Sequence, residues 1–493
     1  MVFEPDGRRA NAQNRETLLK VAQRVGIAVR SECGGKGTCG KCRLQISPES
    51  AVTPPSQAEI KHLTAQEIQM GYRLACQTVI TGETDIQVMV PPESRGTQRR
   101  LQVEGITIPI TLRPAVHSVF IAVPPVDPAR PIPDDERLIE QLHQYYGGKR
   151  GYWIIPLHVR RKIPGSLRAA FGHVTVTLWN KRILLDVAAG DSRNNQFGVA
   201  LDIGTSKLVA SLHSLVTGKL LAVAGLENPQ IRYGEDIMSR LSFAATDPAN
   251  RLVLQNLVVD SINLLLARLA KEATIALDNV YELVVVGNTV MTSLFLGLDT
   301  KHLGYGPFTA PARGPFDVSS QALTLSLPPQ ANVHVLPCVA GYVGADAVAD
   351  ILATRIHRSR KISLLIDIGT NSEVVLGNRD RLTACSCAAG PAFEGAQIEH
   401  GMKAVSGAIE QVTIHPNTLE VEVNTIDAKP AIGICGSGVV DAVAQLAEVG
   451  LLAPQGRFIE HPTTKLLHDQ RGKRFVLVEG GNTEVSQSPI TLS

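Results

Sequence analysis

The residues with the clearest chemistry are four cysteines near the start of the chain. Cys33, Cys39 and Cys42 occupy one short stretch, and 33 residues separate Cys42 from Cys76. Three thiolates on one loop with a distant fourth is an arrangement by which proteins hold an iron–sulfur cluster. The spacing approaches the plant-type ferredoxin pattern, with one extra residue in the first gap. These four cysteines are therefore predicted to bind a [2Fe–2S] cluster.

The cysteine stretch is also rich in glycine, and this bears on the choice of metal. The glycines are Gly34, Gly35, Gly37 and Gly40. They allow the backbone to wrap with positive φ and to bring N–H groups close to a ligand. A structural zinc site is the alternative, because four thiolates also bind zinc. Such sites usually use two matched Cys-x-x-Cys pairs, whereas only Cys39 and Cys42 form one here, and this favours the cluster.

A second chemical pattern, hydrophobic-Asp-Ile-Gly-Thr, occurs twice in the chain, 165 residues apart. Its members are Asp202, Gly204 and Thr205, and then Asp367, Gly369, Thr370 and Asn371. Each glycine permits a sharp turn whose N–H groups can bind phosphate oxygens, and each threonine adds a hydroxyl donor. The two aspartates end strands, where a carboxylate can hold hydrated Mg²⁺. The repeat predicts two related subdomains that face a shared phosphate-binding cleft.

A third pattern lies close to the C-terminal end of the sequence. A short apolar run at residues 431–434 leads into Gly436, Ser437 and Gly438, and a helical pattern continues through Ala447. Glycines allow a flat ligand to approach closely, and a helix N-terminus favours phosphate. Downstream of two phosphate turns, this segment is interpreted as an adenosine-binding motif.

The elements that must position these residues can be predicted from the apolar patterns. In the first 90 residues the predicted strands are 2–4, 43–46, 74–79 and 85–90, and the predicted helices are 15–25 and 56–69. Beyond them the predictions are strands 102–112 and 116–123, helices 134–145 and from Ile163 onward, and a hairpin of 174–178 with 182–188. Strand–turn–strand units are predicted at 199–210 and 364–376.

The motifs together resemble known families. Residues 1 to about 90 resemble a [2Fe–2S] ferredoxin domain, closer to the adrenodoxin-like branch because of the five-residue first gap. The two phosphate turns and the adenosine motif resemble those of the actin–sugar kinase–Hsp70 superfamily of ATPases. A ferredoxin domain joined to this ATPase resembles the reductive activators of corrinoid proteins. Segments 286–292, 341–346 and 387–396 look like internal signatures of that family.

The resemblance implies a domain organisation and a fold class. It places a β-grasp ferredoxin domain at 1–92, a linker at 93–115 and a small α+β middle domain at 116–195. An actin-like, ribonuclease H-like ATPase domain with two subdomains follows at 196–493. The family's ATPase domain continues beyond the position that matches Leu492, so the second subdomain is expected to be incomplete.

The resemblance also implies a function. The chain would be an ATP-dependent one-electron reductase that reduces Co(II) to Co(I) in the corrinoid protein of a methyltransferase system, using its [2Fe–2S] cluster and an external electron donor. ATP would bind with Mg²⁺, and the resemblance suggests a homodimer. No general base is assigned; Glu394 is one candidate among several.

Three other functions fit parts of the sequence. The first is an iron–sulfur electron carrier or redox sensor whose ATPase fold is inactive. The second is an activator of another low-potential enzyme such as a dehydratase, against which the ferredoxin-like loop argues. The third is a small-molecule kinase, which leaves the cluster unexplained.

The composition of the chain limits the classes of partner and the cellular location that we expect. The chain has 493 residues, 44% of them hydrophobic and 19% charged, with a net charge of +2. This balance gives no reason to expect nucleic acid or an anionic membrane as a partner. No signal peptide is visible, and the apolar stretch 252–269 contains polar residues typical of an amphipathic helix. Eight cysteines in a chain of this length do not indicate a disulfide scaffold, so a reducing cytoplasm is expected. Four other cysteines, Cys338, Cys385, Cys387 and Cys435, are expected to be buried thiols; the Cys385–Cys387 pair is a weaker candidate for metal binding.

Overall fold

A computed structural model describes most of the chain. The residues outside the description are 5–7, 12–14, 26, 28, 32, 34, 49–50, 82–84, 92–93, 95–107, 148–151, 235, 370, 388–397, 403, 470–471 and 481–488. The chain divides into two compact units. One consists of Met1–Gln102, Pro229–Asp247 and Arg360–Ser493, and the other of Val103–Asn228 and Pro248–Ser359.

The N-terminal part of the first unit is a β-grasp. Its strands are β1 (Val2–Glu4), β2 (Arg8–Arg9), β3 (Arg43–Ser47), β4 (Tyr72–Leu74) and β5 (Gln87–Met89), and its helices are α1 (Leu18–Arg24), α2 (Gln57–His62) and α3 (Ala65–Gln69). The strand order is β2-β1-β5-β3-β4. Strands β1 and β5 run parallel, and the other neighbours are antiparallel.

One apolar core joins this sheet to α1. Strand β3 alternates, so that Leu44 and Ile46 are buried while their neighbours are not. Helix α1 buries Leu18 and Val21 in the same cluster. Thr17 caps the helix, because its side chain accepts a hydrogen bond from the Lys20 backbone N–H at 3.4 Å. Local sequence and tertiary packing therefore agree on where α1 begins.

Two predicted elements of this domain are wrong in their bounds. The helix expected at 56–69 is interrupted, because Leu63 is extended (φ −116°) and Thr64 starts a new capping box with Glu67. The strand expected at 74–79 ends at Leu74, where the N–H groups of Gln77 and Thr78 turn back to the Leu74 carbonyl. Cys76 consequently lies in a turn and not in a strand.

The middle region of the chain is a small α+β fold in the second unit. It consists of β6 (Val116–Ala122), α4 (Asp134–Tyr146), α5 (Leu157–Ala169), β7 (His173–Trp179) and β8 (Ile183–Ala189). The sheet order β6-β7-β8 is antiparallel, and the predicted hairpin and the predicted helix α4 are confirmed. Helix α5 begins six residues before the predicted start at Ile163. Val159, Ile163 and Leu167 recur at intervals of four and are buried on one face of the helix. Their burial stabilises the helix on both sides of Pro164. In the linker, the described residues 108–112 form no strand, and 102–107 lie outside the description.

A six-stranded sheet forms the rest of the second unit. Its elements are β9 (Phe197–Ile203), β10 (Lys207–Ser214), β11 (Leu220–Glu227), α7 (Pro248–Ala273), β12 (Val280–Gly287), α8 (Thr289–Phe295), β13 (Phe316–Ser319), β14 (Asn332–Val335) and α9 (Ala345–Thr354); the intervening α6 (Ile237–Thr246) belongs to the first unit. The order is β11-β10-β9-β12-β14-β13. Strands β9, β12 and β14 run parallel, β10 pairs with β9 in the antiparallel sense, and the predicted β9–turn–β10 unit is confirmed.

Helix α7 is long and apolar enough to cross a membrane, judged by length and composition alone. Its buried residues Leu254, Val258, Ile262, Leu265 and Leu269 recur at intervals of three and four. This stripe packs against β10 and β11, while much of the opposite face is open. The helix therefore packs as the predicted amphipathic core helix of a globular domain.

The C-terminal part of the first unit contains three small sheets. Its elements are β15 (Ser363–Asp367), β16 (Ser372–Gly377), β17 (Leu382–Cys387), β18 (Ala408–Ile414), β19 (Val421–Thr425), β20 (Gly433–Ile434), α10 (Gly436–Glu448), β21 (Leu466–Asp469), β22 (Gly472–Val478) and β23 (Ile490–Leu492). The sheets have the orders β15-β16-β17, β19-β18-β20 and β21-β22-β23. Buried Ile409, Leu446 and Phe475 share one core, which joins α10 to the second and third sheets.

The remaining cysteines are only partly as predicted. Cys435 is buried, as expected, and Cys338 is half-buried. Cys385 and Cys387 are exposed, because they point to the outer face of the edge strand β17. The prediction that these two thiols are buried is wrong.

Candidate functional site

The cysteine loop brings its four thiols together as two pairs. The Cys39 thiol donates to the Cys33 sulfur, with 3.4 Å between the two Sγ atoms. The Cys42 and Cys76 side chains also hydrogen-bond to each other. The backbone N–H of Ala75 donates to the Cys42 carbonyl at 2.8 Å, which fixes the turn that carries Cys76 against the loop. A predicted set of residues far apart in sequence is thus assembled by the fold.

Each pair contains one thiol that ionises readily. The hydrogen bond from Cys39 lowers the pKa of Cys33 to about 4, and the same bond raises the pKa of Cys39. In the second pair, the bond from Cys42 lowers the pKa of Cys76, and the pKa of Cys42 is raised. Thiolates are the form that binds metal, and a bound metal deprotonates the remaining thiols.

The donor arrangement fits a two-iron cluster. A [2Fe–2S] cluster takes four cysteine thiolates, two on each iron, and the loop presents two thiol pairs. A structural zinc ion instead needs four ligands around one point. The geometry therefore supports the predicted cluster over the zinc alternative; the four ligand assignments remain predictions.

Three glycines give the loop its tight path. Gly35, Gly37 and Gly40 have φ of +92°, +75° and +65°, as their predicted role requires, while Gly34 lies outside the described residues. A Cβ at Gly40 would lie 2.9 Å from the His62 ring. Backbone conformation and available space both select glycine at this position.

We expect Gly40→Ala to lower the cluster content of the protein. A left-handed conformation strains an L-residue by about 1–2 kcal/mol, and the added methyl must also displace His62. The measurement is the cluster's visible absorbance relative to absorbance at 280 nm. Gly450→Ala is the matched control, because Gly450 follows the end of α10 with a similar φ of +76° but has nothing within 4 Å of an added Cβ. Full cluster absorbance in Gly40→Ala would contradict this account of the loop.

A buried ion pair supports the segment around Cys76. Arg73 Nε donates to Glu59 Oε1 at 2.9 Å, and both side chains are almost fully buried. The same carboxylate accepts from the Leu74 backbone N–H at 3.1 Å and from the Thr78 hydroxyl at 3.0 Å. Glu59 therefore holds the chain on both sides of Cys76.

The ionised state of Glu59 is favoured by its partners. Burial alone would raise the pKa of Glu59, but hydrogen bonds from Arg73 and from the Ser56 backbone N–H outweigh burial and hold it below its usual value. Sequence reasoning missed this pair. Two signals were present: the Ser-x-x-Glu capping pattern at the start of α2, and an arginine inside an otherwise apolar segment.

The first phosphate turn follows β9. Asp202 lies one residue before the end of the strand, and Thr205 is buried in the turn with only 8% of its surface exposed. A Cβ at Gly204 would lie 2.7 Å from the Lys207 carbonyl oxygen, so the sharp turn requires glycine. Asn228 Nδ2 donates to the Gly204 carbonyl at 2.8 Å, and Asn288 Nδ2 donates to Thr205 Oγ1 at 3.0 Å. These two buried asparagines were not predicted as part of the site.

The second phosphate turn connects β15 to β16. Asp367 ends β15 opposite Glu373, which is 3% exposed and accepts from the Ser386 hydroxyl at 3.2 Å. Gly369 and Asn371 lie in the turn, whereas the predicted Thr370 is outside the described residues, as is Glu394. Glu373 adds a second carboxylate beside this turn, and sequence reasoning missed it.

The predicted adenosine motif lies at the start of α10. Gly436, Ser437 and Gly438 form its first turn, so the predicted strand–glycine–helix order is confirmed. A Cβ at Gly438 would lie 2.3 Å from the Ile409 carbonyl oxygen, so this glycine allows the helix to pack on β18. An open cavity of about 840 Å³ adjoins the motif. It is lined by Glu410, Gln411, Val423, Asn424, Thr425, Ala428, Ser437 and Asp441.

The predicted nucleotide residues are distributed over both compact units. Asp202, Gly204 and Thr205 lie in the second unit; Asp367, Gly369, Asn371, Gly436, Ser437 and Gly438 lie in the first. Within the first unit, the phosphate turn and the adenosine motif belong to different sheets. Their assignment to nucleotide binding remains a prediction.

Comparison with protein families gives four successive matches. Residues 2–81 match the 2Fe-2S iron–sulfur cluster binding domain. Residues 105–194 match the RACo linker region, 197–359 the RACo middle region and 361–493 the C-terminal domain of RACo, the ASKHA domain. These matches confirm the predicted fold class, with a ferredoxin domain followed by an actin-like ATPase fold. The predicted domain limits are not tested by them.

Similar proteins share this combination. The corrinoid activation enzyme RamQ of Eubacterium limosum is 28% identical over 488 residues, which is 97% of this chain and 77% of RamQ. The [Co(II) methylated amine-specific corrinoid protein] reductase of Methanosarcina barkeri is 30% identical over 55% of this chain and 54% of its own length.

A solved structure matches over the whole chain. It is described as the reductive activator for corrinoid, iron–sulfur protein, and it is 32% identical with a TM-score of 0.67. The match covers 100% of this chain and 79% of that one. Fold, domain order and identity agree along the full sequence, and the chain belongs to the family of reductive activators of corrinoid proteins.

Proposed function

We propose that this chain is an ATP-dependent one-electron reductase that restores Co(I) in a corrinoid protein. One electron enters from an external low-potential donor, and one electron leaves to cobalt, so that Co(II) becomes Co(I) without net proton transfer. The observation that carries the proposal is the presence, on one chain, of two thiol pairs in a ferredoxin fold and an ASKHA fold.

The ferredoxin domain provides the electron site. A [2Fe–2S] cluster accepts and releases one electron. Cys33, Cys39, Cys42 and Cys76 would hold it. The Glu59–Arg73 pair keeps the Cys76 turn in place, and burial of Cys42 and Cys76 limits the access of water to that side of the site. Cys33 and Cys39, which are more open, lie on the side from which an electron can leave.

The ATPase fold provides the energy for an uphill transfer. Mg-ATP supplies binding free energy that can favour one arrangement of a protein complex over another. The residues assigned to it are Asp202, Gly204, Thr205, Asp367, Gly369, Thr370, Asn371, Gly436, Ser437 and Gly438. The aspartates would hold the hydrated Mg²⁺, and the turns would donate N–H and hydroxyl groups to phosphate.

The proposal also includes the partner, the cellular location, the domain limits and the oligomeric state. The partner is a corrinoid protein of a methyltransferase system, reached in a reducing cytoplasm. The domain limits are 1–92, 93–115, 116–195 and 196–493. A homodimer also remains a prediction, and light scattering on the purified chain would test it.

The test is the appearance of Co(I) in a corrinoid protein under anaerobic conditions with a chemical reductant, with and without Mg-ATP. We expect Mg-ATP to increase Co(I) formation at least about tenfold, and Asp367→Ala to remove the increase. Asp380→Ala is the matched control, since Asp380 is an exposed aspartate in the β16–β17 turn. Cobalt reduction that depends on the cysteines but not on ATP would instead indicate an electron carrier or redox sensor with an inactive ATPase.

A further inference from the structure

The segment 286–292 looks like a family signature, yet the proposed function gives it no role. In the structure, its Asn288 lies directly behind the first phosphate turn and is 8% exposed. We propose that Asn288 is a positioning residue that directs the Thr205 hydroxyl proton toward the nucleotide phosphate. This inference rests on the proposed nucleotide-binding function and deepens it.

The orientation of the Asn288 amide is determined by its neighbours. Asn288 is the N-cap of α8, and its Oδ1 accepts from the Met291 backbone N–H at 3.0 Å. A backbone N–H can only donate, so the oxygen of the amide must face Met291. The amide nitrogen therefore faces Thr205 and donates to Oγ1 at 3.0 Å.

This contact restricts what the Thr205 hydroxyl can do. A hydroxyl has one proton and accepts through its lone pairs. Because Oγ1 accepts from Asn288, its own proton must point away from Asn288. The adjacent peptide is oriented in a similar way: Asn228 holds the Gly204 carbonyl at 2.8 Å, and in a trans peptide the Thr205 N–H points in the opposite direction. The Thr205 hydroxyl proton is thus kept from pointing at Asn288, and the Thr205 N–H is kept from pointing at Asn228.

The second family signature, 341–346, packs against the same asparagine. A Cβ at Gly344 would lie 2.5 Å from Asn288 Cα, so only glycine permits this approach. The Thr289 hydroxyl donates to the Ala340 carbonyl at 2.9 Å, and Asn228 Nδ2 lies 3.8 Å from Met291 Sδ. Segments 286–292 and 341–346 therefore pack together around Asn288 and restrict its movement, as a positioning role requires.

The experiment is calorimetric titration of Mg-ATP into the full chain, with a double-mutant cycle. Asn288→Ser keeps a good helix cap but is too short to reach Thr205. We expect it to weaken Mg-ATP binding about five- to tenfold, which corresponds to the loss of one ordinary hydrogen bond between uncharged groups. In a Thr205→Val background, the same change should have less than about a twofold effect, because the hydroxyl that Asn288 positions is gone.

The matched control is Asn263→Ser. Like Asn288, Asn263 uses its side-chain amide to bridge two groups, here the Thr324 carbonyl at 3.2 Å and the Ser326 N–H at 2.7 Å, but these bonds lie at the exposed surface of α7. Its change should leave Mg-ATP affinity unaltered. Unchanged affinity in Asn288→Ser, or an equal loss with and without the Thr205 hydroxyl, would overturn the positioning role while the proposed function stands. No Mg-ATP binding by the unmutated chain would overturn both.

Discussion

Cys76→Ala is expected to reduce bound iron from roughly two atoms per chain to almost none. Cys76 is the ligand most distant in sequence, and its turn closes the loop through the Ala75–Cys42 hydrogen bond. Without its thiolate, one iron would retain only Cys42 as a protein ligand, and the cluster would lose one of the four thiolates that it takes. Iron and sulfide analysis, together with the visible spectrum, measures the loss directly.

Cys385→Ala is the matched control for this change. Cys385 is an exposed thiol on the edge strand β17, outside the cluster loop. Its removal should leave iron and sulfide unchanged. Two results would contradict the cluster assignment: full iron content in Cys76→Ala, or one zinc ion per chain and no sulfide in the unmutated protein.

The second large effect is expected from Glu59→Gln. The glutamine cannot accept every bond that the carboxylate receives from Arg73, Leu74 and Thr78, and it leaves a buried guanidinium without a counter-charge. Breaking one side of a buried ion pair costs about 3–5 kcal/mol in the free energy of unfolding. We expect the melting temperature of the cluster-bearing domain to fall by at least roughly 10 °C. This transition is measured as the loss of the cluster's circular dichroism at visible wavelengths when the full chain is heated.

Glu67→Gln is the control for the Glu59 change. Glu67 forms the same kind of capping box in α3 and pairs with Arg43 at 2.6 Å, but both side chains are partly exposed. Glutamine preserves a capping box, and an exposed pair contributes less than about 1 kcal/mol. Equal and small effects of the two substitutions would show that the buried pair does not stabilise the domain.

The contribution of Glu59 to the free energy of unfolding should also depend on pH. Its pKa is lower in the folded state than in the unfolded state, so the stabilisation is present above the unfolded pKa and is lost as pH falls through the folded pKa. The difference in melting temperature between the unmutated chain and Glu59→Gln should therefore shrink in acid. A difference that grows in acid would contradict the assigned ionised state.

Local patterns in the sequence predicted the parts of the fold that local physics determines. The β9–turn–β10 unit and helix α10 follow from apolar alternation and glycine placement, and the structure has both. The start of α5 was predicted wrongly, because a proline often begins a helix and the prediction began the helix beside Pro164. In the structure the helix begins at Leu157, and Val159, Ile163 and Leu167 form one buried stripe along it. The exposure of Cys385 could not be inferred, because which face of a sheet is covered by other elements is a tertiary property.

The candidate site also divides into residues that local sequence patterns indicate and residues whose role depends on contacts made in the folded chain. For the four cysteines and the two glycine turns, residue type and spacing suffice to predict a chemical role, and these roles stay predictions. Glu59, Asn228 and Asn288 contact residues 14, 24 and 83 positions away, so no local pattern identifies the partner that each of them holds. Long-range hydrogen bonds supply the support, and these appear only when the chain is folded.

The most direct test of the central claim is a single-turnover transfer. The chain is reduced, freed of excess reductant, and mixed anaerobically with a Co(II) corrinoid protein in the presence or absence of Mg-ATP. We predict that oxidation of the cluster and formation of Co(I) proceed at the same rate and in equal amounts, and that both require Mg-ATP. Co(I) formation of equal extent without nucleotide, or cluster oxidation with no Co(I) formed, would contradict the claim that this chain is an ATP-dependent reductase of corrinoid cobalt.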